Sequence, residues 1–78
     1  MTDLTEQQRA VLGIESRFWR HAGAKEDAIR AETGLSPTRF YQALNAMRVN
    51  TAAWEHAPAT MGRVDRLLGR RARQHAGE

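Results

Sequence analysis

Apolar residues recur at helical spacing in three stretches of the chain, and no stretch alternates in the manner of a strand. In the first, Val11, Ile14 and Phe18 fall at i, i+3 and i+7, with Leu12 and Trp19 widening the stripe. This predicts a helix over about 6–21 with Phe18 and Trp19 in the core. Thr5-Glu6-Gln7-Gln8 fits a capping box at its start. Gly23 stands just past its expected end, where a left-handed residue would close it. In the second stretch Phe40, Ala43, Leu44 and Met47 fall at i, i+3, i+4 and i+7 behind Ser36-Pro37, an N-cap followed by a proline at the first helical position. This predicts a helix over 36–47. In the third, Met61, Val64 and Leu68, together with Leu67, mark a last helix that starts at Pro58.

Between the first two stretches the signal is weaker. A short helix is expected from about Ala24, with Lys25, Glu26 and Asp27 in its first turn, where the two acids suit the positive end of the helix dipole. Ile29 is its one large apolar residue. Gly34, within Thr33-Gly34-Leu35-Ser36, then reverses the chain. After Met47, Val49-Asn50-Thr51 reads as a turn, with Thr51 capping a short helical piece over 52–56 and Trp54 covering the core. The fold class is therefore all-α, one domain over 1–78. Its core spans about 5–69, and a basic, frayed tail covers 70–78. More specifically, the pattern is that of a small helix-turn-helix domain with three core helices and a C-terminal basic helix. Ile29, Gly34, Leu35, Phe40 and Ala43 match the apolar framework of that unit. Arg30 and Thr33 depart from it, since a small residue and an apolar one are usual there, and Ala28 or Ala31 would then allow the close helix crossing.

The outward residues of helix 36–47 sharpen the picture. Thr38, Arg39, Gln42 and Asn45 face away from the apolar stripe, Tyr41 lies at its edge, and no Asp or Glu stands among them. Hydroxyl, guanidinium and amide groups are those that read base edges or hold phosphates. In a helix-turn-helix this helix enters the major groove of double-stranded DNA. Gln42 and Asn45 would pair with adenine, Thr38 would face base edges, and Arg39 would take a guanine or a phosphate. Ser36 lies at the helix start, where the helix end favours phosphate. Lys25, Arg48 and Tyr41 are candidates for the flanking backbone.

Charge adds to this reading. Residues 1–39 carry six Lys/Arg and six Asp/Glu, whereas residues 40–78 carry six Arg against Glu55, Asp65 and Glu78. The net charge of +3 therefore comes from the C-terminal half. Arg63, Arg66, Arg70, Arg71 and Arg73 would hold flanking phosphates, or else form an ordinary solvated helix face.

The chain holds no cysteine, which excludes a disulfide framework and thiolate metal sites and favours a reducing, cytoplasmic setting. No apolar run approaches the ~20 residues of a membrane span, and MTDLTEQQR lacks a signal-peptide pattern, so no secretion signal is expected. His21, His56 and His75 lie in separate segments without ligand spacing, Ser16 and Ser36 have no nucleophile motif, and the six glycines form no phosphate loop. No catalytic residue, metal or cofactor is expected.

The runs Phe18-Trp19-Arg20-His21-Ala22-Gly23-Ala24-Lys25-Glu26 and Leu35-Ser36-Pro37-Thr38-Arg39-Phe40-Tyr41-Gln42-Ala43-Leu44-Asn45 resemble a small protein family of high-GC Gram-positive bacteria and their phages. Its typical wording is close to W-x-x-A-G-A-K-E followed by S-x-T-R-Y-Y-Q-x-L-N. The resemblance covers about residues 4–70, with Phe40 in place of the family's usual first tyrosine. It implies a helix-turn-helix-like fold and no particular biochemical activity. Two functions follow as expectations. One is a small DNA-binding transcriptional regulator, helped by a homodimer through the last helix or the Trp54 region. The other is a protein-interaction module that uses the same fold to bind RNA polymerase or another host protein.

Overall fold

The computed structural model describes the backbone of residues 3–76 and the side chains of residues 3–69. The described residues form five helices and no strand: α1 (Glu6–Ser16), α2 (Ala22–Thr33), α3 (Pro37–Met47), α4 (Thr51–His56) and α5 (Pro58–Ala76). The all-α class expected from the periodicity is what the chain adopts.

The capping box of α1 is formed in both directions. The Gln8 amide donates to Thr5 Oγ1 at 3.0 Å, and the Thr5 amide donates to Gln8 Oε1 at 2.8 Å. The far end differs from expectation. α1 stops at Ser16, and extended Arg17 returns its amide to the Ile14 carbonyl at 3.2 Å. Outside the helix, the i+7 spacing no longer places Phe18 on the buried stripe, and its side chain is 89% exposed. Trp19 does turn inward: it packs on the core, and its indole N–H donates to the Ile14 carbonyl at 2.8 Å. Gly23 does not close α1 but is the second residue of α2, which therefore begins two residues early. Glu26 and Asp27 consequently fall beyond its first turn.

The end of α2 follows the expectation closely. Gly34 takes the left-handed conformation (φ 75°, ψ 4°), and its amide donates to the Arg30 carbonyl at 3.1 Å. Thr33 is buried without being orphaned. Its hydroxyl donates to the Ile29 carbonyl at 2.5 Å and accepts the Leu35 amide at 3.1 Å, while Gln7 Nε2 from α1 donates to its carbonyl at 2.9 Å. A hydroxyl with both partners supplied costs the interior little. Arg30 is exposed, and half-buried Ala28 lies against the core in its stead. Ser36 caps α3 by accepting the Arg39 amide at 3.2 Å, with Pro37 at the first helical position.

The core joins Val11, Leu12 and Ile14 of α1, Ile29 of α2, Phe40, Leu44 and Met47 of α3, Ala53 of α4 and Met61 and Val64 of α5, with Leu4 from the N-terminal segment. The last helix is thus a wall of the core and not an appendage to three core helices. Leu67 leaves its buried stripe and is 53% exposed. Asn50, not Thr51, caps α4, its Oδ1 accepting the Ala52 amide at 3.0 Å. Trp54 is half-buried, with its indole N–H on the Arg48 carbonyl at 2.9 Å.

Candidate functional site

The burial of Phe40, Leu44 and Met47 fixes which side of α3 faces water. Thr38, Arg39, Gln42 and Asn45 are exposed, and Tyr41 at the flank is 43% exposed. The Arg39 guanidinium and the Gln42 carboxamide make no hydrogen bond among the described residues, so both are free for a ligand. Ser36 spends its oxygen on the α3 cap.

The flank of α3 that faces α5 is engaged within the chain. Arg48 Nε donates to Asp65 Oδ1 at 2.9 Å, and its Nη1 donates to Asn45 Oδ1, also at 2.9 Å. Asn45 is therefore held by its oxygen while its amide N–H groups remain available. A Cβ added at Gly69 would stand 3.1 Å from the Arg48 guanidinium, so α5 passes close beside this group. Lys25, expected on the surface beside the groove, turns inward. Its Nζ donates to Glu15 Oε1 at 2.8 Å and stands 5.2 Å and 5.6 Å from the ring centroids of Tyr41 and Phe40, which pack edge to face. Burial of Lys25 disfavours its charged form, but the bond to Glu15 and the neighbouring Tyr41 outweigh that and hold its pKa above the ordinary value.

Arg63 also meets Glu15, donating to its backbone carbonyl and lying 3.9 Å from its carboxylate. Arg66 is exposed, whereas the side chains of Arg70, Arg71 and Arg73 lie outside the described residues. Asp65 and Glu15 are the residues that the sequence pattern missed. Glu15 joins α1 to Lys25 of α2 and Arg63 of α5, with its side chain 11% exposed. The local sequence marks it only as a polar position after Ile14, because its partners are 10 and 48 residues away.

The arrangement thus offers an acid-free polar face on α3 with Thr38, Arg39, Gln42 and Asn45 at hand, bordered on one side by internally paired cations. Among the described residues no helix is long and apolar enough to cross a membrane. The chain belongs to a family described as "Protein of unknown function (DUF3263)", whose model matches residues 3–76. No curated protein and no solved structure matches the chain.

Proposed function

We propose that this member of the family is a non-catalytic, duplex-DNA-binding protein that uses α2, the Gly34 turn and α3 as a helix-turn-helix, with α3 in the major groove. The observation that carries the reading is the outward face of α3, where Thr38, Arg39, Gln42 and Asn45 are exposed together with no acid among them. Gln42, and Asn45 through its amide N–H groups, read base edges. Arg39 takes a guanine or a phosphate, and Thr38 stands at the helix start. Lys25 and Arg48 act from behind this face, as residues that hold Tyr41 and Asn45 in place. Arg66, with Arg70, Arg71 and Arg73 further along the chain, supplies flanking phosphate contacts, and the role that fits such a small module is transcriptional regulation. A partner protein docking here would favour an apolar patch of Tyr41, Trp54 and Met61, but Met61 is buried and Trp54 half-buried.

The test is a titration of duplex DNA, enriched from a random pool, at two salt concentrations. Affinity should fall as salt rises, because bound arginines release counterions. The double substitution Arg39→Ala with Gln42→Ala should weaken binding at least about tenfold, the scale of one good base contact, and leave the helical circular dichroism unchanged. Salt-independent binding, or an undiminished affinity of the double variant, would sink the reading.

A further inference from the structure

The α1–α2 junction presents a feature that the DNA reading does not use. Phe18 is the most exposed aromatic side chain among the described residues, yet everything around it is tied down. On one side the Arg17 backbone closes α1, and its guanidinium pairs with both oxygens of Glu32 at 3.1 Å and 2.5 Å. On the other side Trp19 is pinned to the Ile14 carbonyl beneath the Arg17 guanidinium. A frame of this kind holds a phenyl ring out in water, where it stabilises nothing within the chain.

Directly beside it lies an open, largely polar groove of about 550 Å³, bordered by Phe18, in which Glu15, Arg17, Lys25 and Arg63 surround Trp19 and Ala22. For scale, a cavity of about 150 Å³ holds a benzene molecule. A projection and a receptacle adjacent on one patch are self-complementary. A two-fold axis between them seats each Phe18 in the other copy's groove. Charge agrees with this. The cations Arg17, Lys25 and Arg63 already face carboxylates of their own chain, so the patch offers little to a polyanion. Arg20 and Glu26 are exposed and make no salt bridge among the described residues. Glu26 follows Ala22, which lines the groove, by one helical turn on the same face of α2. The last helix is a poorer surface for self-association by its composition, since it carries Arg63, Arg66, Arg70, Arg71 and Arg73 against Asp65 alone.

We infer that the chain forms a two-fold homodimer through the α1–α2 junction, with Phe18 docked in the partner's groove and Arg20 paired with the partner's Glu26. The inference goes beyond the DNA reading and is tested without DNA, so either can fail alone. If both hold, the dimer carries two α3 helices.

Sedimentation equilibrium of the full chain over a concentration series is the experiment. The wild type should pass from one chain mass to two. Phe18→Ala should raise the dimer dissociation constant about tenfold or more, as loss of a central aromatic anchor does, while circular dichroism, and the thermal midpoint at concentrations where both proteins are monomeric, stay as they were. Arg20→Glu and Glu26→Arg should each weaken the dimer, and the two together should restore it, which only a direct pairing across copies explains. A wild type that stays monomeric up to about 1 mM, the weak limit of useful association, overturns the inference. So does a dimer indifferent to Phe18→Ala, or a charge swap that fails to rescue.

Discussion

The two junctions flanking α2 solve one problem by different means. Both must turn the chain between helices within a few residues. The α2–α3 junction is built from local chemistry: Gly34 takes the left-handed conformation, Ser36 caps α3, Pro37 begins it, and Thr33 closes the end of α2 with its own hydroxyl. The α1–α2 junction has no left-handed residue, and His21 caps α2 without a side-chain hydrogen bond. It is held by side-chain contacts instead, the nearby Trp19 on Ile14 and the more distant Arg17 on Glu32 and Lys25 on Glu15. The locally built turn positions α3. The other is fixed by tertiary contacts and leaves Phe18 outside.

The difference can be broken first at Glu15. Glu15→Ala leaves Lys25, a half-buried cation, without its carboxylate and removes the carboxylate near Arg63, whose bond to the backbone carbonyl of residue 15 stays. Stability should fall by about 1–3 kcal/mol, the cost of stranding a partly buried polar group, read as a lower urea midpoint. An unchanged midpoint would mean that the junction holds itself locally.

Gly34, which caps α2, and Gly23 within it test the contrast with opposite signs. Gly34→Ala forces an L side chain into φ 75°, at a cost of about 1–2 kcal/mol, although nothing stands within 4 Å of the added Cβ. Gly23→Ala, with the same open space but helical backbone, should stabilise by about 0.5–1 kcal/mol. Thermal melts of the two variants should therefore move apart. If Gly23→Ala also lowers the midpoint, the start of α2 is not at Ala22.

These contrasts also explain what could be read from the residues in order. The helix 36–47, the Gly34 reversal and the capping box at Thr5 rest on neighbours within four positions, and all three are present. Spacing alone puts Phe18 in the core because periodicity carries no mark of where a helix stops. Val11 and Ile14 continue as naturally into Phe18 as into water, and the helix ends at Ser16, beside the bonds of Trp19 to Ile14 and Arg17 to Glu32. For the same reason the exposed set Thr38, Arg39 and Gln42 followed from the buried stripe opposite it. The inward turn of Lys25 and the hold of Asp65 on Arg48 depend on α1 and α5, which come near only in the fold.

The finest distinction concerns the Arg17–Glu32 strap, which crosses the α1–α2 junction on the surface. The hydrogen bond from Arg17 chiefly, opposed by slight desolvation and aided by its charge, holds the Glu32 carboxyl below its ordinary value of 4.5. A depressed carboxylate contributes stability that is fully present above the unfolded-state value and disappears as pH falls through the folded one. Both groups are solvent-exposed, so the contribution is small and screened by salt. Glu32→Gln should therefore lower the thermal midpoint slightly at neutral pH and low salt. The wild-type and variant curves should converge as the pH drops below the ordinary carboxylate range, and also at neutral pH when salt is raised. A gap that persists in acid would show that the ion pair is not its source, because protonated Glu32 carries no charge and glutamine keeps the side chain's bulk.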